Sequence, residues 1–235
     1  MSEGKYIGEE LEIFAHASNW KKYYGSIIKP YFGKRVLEVG AGLGATTQTL
    51  YDPKVTEWIC LEPDETFYQT LEKKIVNQEL PSACKAKHGT LANLDANDTY
   101  DAIIYIDVAE HIENDKTEMQ EASKHLNQGG KLIVLSPAHQ WLFTPFDKAI
   151  GHFRRYSRAS LSNIGPDACA EIKIIYLDSA GMLLSLANKL FLQQSMPTVK
   201  QILVWDRWVV PVSRILDRIL FFNLGKSVVG IWERS

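Results

Sequence analysis

Several features that would tie the chain to particular protein classes are scarce or missing. Cysteine is sparse: Cys60, Cys84 and Cys169 are scattered over 235 residues, with neither a C-x-x-C pair nor a metal-ligand spacing. That excludes a disulfide framework and reads as reduced thiols in a cytosolic protein. No uncharged run approaches the roughly 18 residues of a membrane span, and the opening Met1-Ser2-Glu3-Gly4-Lys5 has no apolar core of a secretory leader. Charge of one sign is also missing: 26 lysines and arginines face 28 acids, a formal net charge of −2. A general nucleic-acid binder would be strongly basic, so that class is set aside. There is no internal repeat and no low-complexity segment. The length suffices for one well-buried α/β domain, or one domain with a cap.

The most informative stretch is Arg35-Val-Leu-Glu-Val-Gly-Ala-Gly-Leu-Gly-Ala45. Val36–Val39 reads as a buried strand. Three glycines at alternate positions, Gly40, Gly42 and Gly44, allow a tight turn and a close approach of a ligand to the backbone. Ala45–Leu50 can start a helix. A strand, a glycine turn and a helix N-terminus make a pocket for a nucleotide-like cofactor. Gly40-x-Gly42-x-x-Ala45 also fits the loose dinucleotide fingerprint, and Glu62, about 20 residues on, supplies the acid either tenant wants for its ribose. Glu38 favours a cofactor with a cationic amino-acid tail over a pyrophosphate.

Glu38-x-Gly40-x-Gly42-x-Gly44 resembles the glycine motif of class I S-adenosyl-methionine-dependent methyltransferases. Leu61-Glu62-Pro63-Asp64 resembles the acidic end of that family's second strand, and Asp107-Val-Ala-Glu-His111 the segment after its fourth. The resemblance covers roughly residues 34–136. It implies S-adenosyl-methionine as cofactor, held by Glu38, Gly40, Ala41, Gly42, Gly44, Glu62, Pro63, Thr90, Leu91, Asp107 and Val108. Thr90 departs from the acid usually found after the third strand. The implied fold is Rossmann-like α/β: a doubly wound, seven-stranded, mostly parallel sheet whose last strand is antiparallel, with N-terminal helices and a helical cap insertion.

Along the chain, residues 9–30 read as two helices, the second with an aromatic stripe (Trp20, Tyr23, Tyr24) and ended by Pro30. In the resembled family such helices cover the cofactor cleft, so 1–33 is expected to be a lid; Trp20 and Tyr24 are candidate substrate contacts, with core packing as the alternative. The core, 34–136, holds strands at 35–39, 55–61, 84–88, 100–106 and 131–136. A helix marked by Met119, Ala122 and Leu126 is expected to close at Gln128-Gly129-Gly130. Residues 137–166 interleave aromatics with bases and form a substrate-side insert. There Gly151-His-Phe-Arg-Arg-Tyr156 resembles a methyltransferase subgroup found near glycosyltransferases, and His139, Arg154 and Arg155 are candidate acceptor contacts, one arginine alternatively pinning the insert by an internal ion pair. A strand at 171–177 precedes a mostly helical, apolar insertion at 179–222, and the last strand spans 225–233.

His111, His152 and Tyr156 are the candidate bases. No metal-ligand cluster is visible, so no metal is expected. The expected activity is methyl transfer to a small-molecule acceptor, such as a sugar, a nucleotide-sugar or a lipid-linked intermediate. A nicotinamide-dependent oxidoreductase or a non-catalytic scaffold on the same fold stays open. The expected location is cytoplasmic, with 179–222 able to touch the inner face of a membrane; a homodimer is left open and nucleic acid is not expected as a partner.

Overall fold

Seven runs of apolar and β-branched residues pair into one sheet in the order β3-β2-β1-β4-β5-β7-β6. In the computed structural model, which describes residues 10–187 and 197–235, these are β1 (Arg35–Val39), β2 (Glu57–Glu62), β3 (Cys84–His88), β4 (Tyr100–Ile106), β5 (Leu126–Pro137), β6 (Cys169–Leu177) and β7 (Ser227–Arg234). β7 alone runs against its neighbours β5 and β6; the other pairings are parallel. This is the sheet expected from the motifs. Val36 and Trp58 share one core layer with Tyr24 and Leu50; Leu37, Val39 and Ile103 share the other with Met119 and Leu161.

The helices are α1 (10–15), α2 (Ser18–Ile28), α3 (Ala45–Leu50), α4 (Glu65–Val76), α5 (Asp115–Lys124), α6 (Pro145–Ala149), α7 (Arg158–Asn163), α8 (Ser179–Ala187), α9 (Val199–Val204) and α10 (Val210–Ile219). Part of the apolar run 182–192, expected to be helical, lies outside the described residues. One boundary is corrected. The helix expected to reach Gly129-Gly130 stops at Lys124, and Leu126 already pairs with Tyr100 in the sheet. Residues 127–130 then loop out before Lys131 pairs with Ala102. Gly129, at φ 73°, takes its left-handed conformation in this bulge and not at a helix end.

α9 continues into α10 through a π-helical turn, Trp205–Val209. Pro211 explains it: a proline there has no N–H to give and crowds the carbonyl four residues back, so the turn before it widens. The turn brings Asp206 against α2, where its carboxylate accepts from the Asn19 and Trp20 N–H groups (3.0 and 2.8 Å) and caps the helix from 186 residues away.

Two further buried aspartates lash the cap to the body. Asp217 on α10 accepts from Tyr23 Oη (2.7 Å), Asp178 N (2.7 Å) and Ser179 N (2.9 Å). Asp178 accepts from Trp205 Nε1 (2.8 Å), Gly181 N (3.1 Å) and Ser213 Oγ, and pairs with Lys226 Nζ (3.4 Å). These bonds fix the entry of α8, the π-helical turn and α10 around one point above the sheet. Asp217→Ala leaves three buried donors without an acceptor and should lower unfolding free energy by about 3 kcal/mol or more, read by urea denaturation. A loss below about 1 kcal/mol would mean that the cap is held by apolar packing instead.

Candidate functional site

The strands that match in register end at a common rim. Val39 lies beside Leu61 and Tyr105, Glu62 beside His88, and Ile106 beside Leu135, so the turn after β1, Glu62 and Asp107 stand together at the C-terminal edge of the sheet. In an open parallel sheet this edge is where ligands sit. Gly40 and Gly42 adopt φ 68° and 55°. A Cβ on Gly40 would lie 2.7 Å from Val108 Cγ2, and one on Gly42 would lie 3.3 Å from Leu11 Cδ1 of α1. The left-handed backbone disfavours a side chain at both positions, and Val108 blocks one at Gly40, so the turn presents bare backbone to the crevice.

Glu62 is tied to that turn: Oε2 accepts from Gly42 N (2.7 Å) and Oε1 from Asp64 N (3.0 Å). Burial raises its pKa, and the two N–H groups pull against the rise. Pro63 offers its carbonyl to His88 Nε2 (3.0 Å), Asp64 caps α4 through Thr66 N and Phe67 N, and Leu91 is buried behind Thr90, which caps a short turn with Asn93. Ala41 is buried.

Glu38 is placed otherwise than its motif suggests. Its carboxylate points beneath the turn, where Oε2 accepts from Thr47 Oγ1 (2.6 Å) and Trp58 Nε1 (2.8 Å). It braces α3 and β2 against β1 and so reaches the crevice only through the backbone it supports.

Behind Asp107 the crevice opens into a cavity of about 580 Å³, within the ordinary range for a small-molecule site. Its floor is polar: Asp107, Glu110, Asp147, His152, Arg155 and Lys226. Its roof is the cap, with Leu184, Ile202, Val204 and Trp205, and Glu10 and Phe14 of α1 close one side together with Trp20. Burial raises the Asp107 pKa to about 6, against the pull of His152, Lys21 and Lys226. Burial likewise raises Glu10 to about 8, helped by Asp107 and Asp147. Lys21 is lowered to about 8 by burial, opposed by Asp107 and Asp206.

His152 sits on this floor with Nδ1 3.1 Å from Asp147 Oδ1 and Nε2 3.8 Å from Glu110 Oε1. Asp147 is gripped in turn by Arg155 through Nε (2.7 Å) and Nη2 (3.0 Å). Burial would raise the Asp147 pKa, but His152 and Arg155 prevail and hold it well below the usual carboxylate range. The His111 ring lies edge-on to His152, centroids 4.5 Å apart. Burial, then the His152 charge, lowers its pKa to about 4, so His111 is neutral near pH 7.

Four expected site residues are corrected. Tyr156 Oη donates to Asp115 Oδ2 (2.7 Å) and Ala109 O (3.1 Å) inside the core, which pushes its ionisation far up and removes it as a base. Arg154 faces outward and pairs with Asp115 (2.6 Å) and the Glu113 carbonyl (2.8 Å), away from the cavity. Tyr24 is buried edge-on beneath Trp20, which alone of the two lines the cavity. His139, at φ 66°, stacks on Tyr176 with centroids 4.7 Å apart and belongs to the wall of the insert. Arg155 does reach the cavity, but as the partner of Asp147. Glu10, Lys21 and Lys226 had no motif to mark them and are brought in by tertiary packing; Asp147 ends the aromatic stretch 138–147 that precedes Gly151-His152. Glu110 was visible beside His111, and its burial was not.

Residues 37–134 match the family model described as a methyltransferase domain. The mitochondrial ubiquinone biosynthesis O-methyltransferase of Dictyostelium discoideum is 26% identical over 140 residues, 55% of this chain and 42% of that protein. Over residues 37–134 the chain is thus similar to methyltransferase domains. The match spans less than half the length of that relative. Among solved structures, geranyl diphosphate methyltransferase in complex with its S-adenosyl-methionine superposes with a TM-score of 0.64 at 9% identity, covering 91% of this chain and 85% of that one. Coclaurine N-methyltransferase, bound to N-methylheliamine and S-adenosyl-homocysteine, gives 0.62 at 14% identity, covering 92% and 72%. At such identities the likeness is one of fold. The side-chain-free glycine turn bonded to the Glu62 carboxylate fits the S-adenosyl-methionine that the sequence resemblance implies.

Glu38 gives a pH test of this placement. Its pKa is raised by burial to about 7 from an ordinary 4.5, despite the Thr47 and Trp58 bonds. Between those values the folded state keeps a proton that the unfolded chain releases, so stability falls as pH rises through the window, by up to about 3 kcal/mol. Glu38→Gln lacks this slope. Urea titrations at pH 4.5 and pH 8 should show wild type losing that amount relative to the variant; parallel curves would contradict a buried, protonating Glu38.

Proposed function

We propose that the chain transfers the methyl group of S-adenosyl-methionine to a nucleophile on a small acceptor with an apolar tail, the lipid-linked class among those the sequence suggested. The observation that carries this reading is the two-sided cavity: carboxylates, histidine and lysine on the floor next to the cofactor crevice, aliphatic and aromatic side chains on the roof. The cofactor supplies an activated methyl on a cationic sulfur. The chain supplies the rest. The glycine turn and Glu62 hold the cofactor's place, the cap aligns the acceptor, and such orientation is worth roughly 7–11 kcal/mol in favourable cases. The acceptor's proton passes to His152, whose Nδ1 is anchored by Asp147 and whose Nε2 faces the cavity floor.

The outer surface of the cap supports the same acceptor class. α10 is turned inside out: Ser213 and Asp217 are buried, while Ile215 and Ile219 are each 63% exposed. With Trp208 (66%), at the same helical spacing, they form an apolar stripe on the cap, and Leu183 (63%) on α8 is exposed as well. Arg214 and Arg218 line a notch of about 270 Å³ in that stripe beside Ile215. Apolar side chains ringed by arginine suit the boundary of an anionic bilayer. Among the described residues no helix is long and apolar enough to cross a membrane, and the contact we propose is a peripheral one.

Two measurements check this. Incubation with methyl-labelled cofactor and an extract split into organic and aqueous phases should place label in an organic-soluble product, and His152→Ala should cut the rate at least about 100-fold with S-adenosyl-homocysteine affinity kept. Label confined to the aqueous phase would reject the apolar tail, and no label in either phase would reject methyl transfer. In flotation, the chain should rise with phosphatidylglycerol vesicles and stay down with phosphatidylcholine alone, and Ile215→Glu/Ile219→Glu should stay down with both; wild type left at the bottom with either vesicle would remove the membrane contact.

A further inference from the structure

The floor of the cavity holds an electrostatic arrangement that methyl transfer does not require. Glu110 is fully buried, with the Ser136 hydroxyl near its carboxylate and no hydrogen bond of good geometry to either oxygen. A buried carboxylate left in that state is costly unless it takes up a proton or a cation. Two neutral-capable imidazoles stand beside it. The ligand atoms of Glu110, His111 and His152 all lie within 4.8 Å of one another. The three come from two parts of the chain, the turn Ala109–His111 after β4 and the insert after α6, so packing and not local sequence makes the group.

We infer that Glu110, His111 and His152 form a binding site for a divalent transition-metal ion of the zinc and iron class. Two imidazole nitrogens and one carboxylate are the donor set such ions take, with positions left for water or substrate. The support behind the first ligand is already in place: His152 turns Nδ1 to Asp147 Oδ1 (3.1 Å), so that Nε2 carries the free lone pair toward Glu110, and Arg155 locks Asp147 from behind. A carboxylate holding the far nitrogen of a histidine is the usual backing of a metal-bound imidazole. His152 Nε2 and Glu110 Oε1 are 3.8 Å apart. Tetrahedral ligands about 2.1 Å from an ion stand roughly 3.4 Å apart, so this pair closes on a cation with a small side-chain rotation. Glu110 and His152 both line the acceptor cavity, and the ion's open positions therefore face the acceptor. A hydroxyl coordinated there would give up its proton to water in the cavity near neutral pH, and the ion would stabilise the resulting oxyanion in place of proton transfer to His152, which is then a ligand. Asp107 lines the same cavity and adds negative charge that favours a cation.

The test uses the full chain, stripped with a chelator and titrated with Co(II) and Zn(II). Wild type should bind one ion with micromolar affinity or better and give the visible absorption of Co(II) held by nitrogen and oxygen. Glu110→Gln and His152→Ala should each weaken binding by at least about 100-fold, whereas His125→Ala, at the far end of α5, should bind as wild type. Folding of the variants is checked by S-adenosyl-homocysteine binding. A measurement on wild type alone stands beside them: of the six histidines, Zn(II) should shift the ring nitrogen resonances of His111 and His152. No stoichiometric binding to wild type, equal affinity in Glu110→Gln, or shifts confined to other histidines would overturn the site. Methyl transfer with undiminished rate in the stripped chain would overturn the ion's part in catalysis and leave the proposed activity intact.

Discussion

A carboxylate taken out of water must find hydrogen bonds, a proton or a cation, and this requirement shapes the protein at each of its buried acids. Glu62 finds the N–H groups of Gly42 and Asp64, which sets the glycine turn against the end of β2. Asp178, Asp206 and Asp217 find N–H and O–H donors on elements far apart in sequence, which docks the cap. Asp147 finds Arg155 and His152. Glu38 finds Thr47 and Trp58 and keeps a proton near neutrality. Glu110 alone of this group has no hydrogen bond of good geometry, and it lines the floor of the cavity.

The consequence is a division of labour by depth. Below the rim, acids are satisfied and act as struts. At the rim, the glycine turn stays bare because Gly40 and Gly42 hold left-handed backbone and Val108 crowds Gly40. Above it, the cap encloses a volume whose floor is ionisable and whose roof is apolar. Because the cap hangs from three aspartates and from Trp20 and Tyr23 of α2, the cavity's shape depends on the N-terminal helices as much as on the sheet.

Most of the sheet was legible in the sequence because its signals are local. Val36–Val39 before Gly40, Glu62 before Pro63-Asp64, and Tyr100–Ile106 before Asp107 each announce a strand and its end within a few residues. The failures have a common cause. Leu126 fits a helical spacing with Met119 and Ala122, yet it pairs with Tyr100, and nothing within the window reports that partner. Arg154 and Arg155 are indistinguishable in sequence, but one meets Asp115 and the other Asp147. Tyr156 lies beside them in the same basic-aromatic run, and its fate is decided by Asp115, 41 residues earlier. The metal-ligand group escaped for the same reason: Glu110-His111 is a common dipeptide until His152 arrives from the insert.

The claim on which the account rests is that the cofactor lies against the glycine turn and Glu62, with Asp107 between it and the acceptor cavity. Amide hydrogen exchange of the full chain with and without S-adenosyl-homocysteine tests it directly. The account predicts slowed exchange at 40–44, 62–64 and 107–111 on binding. Binding without protection at those segments, or with protection confined to the cap, would contradict it.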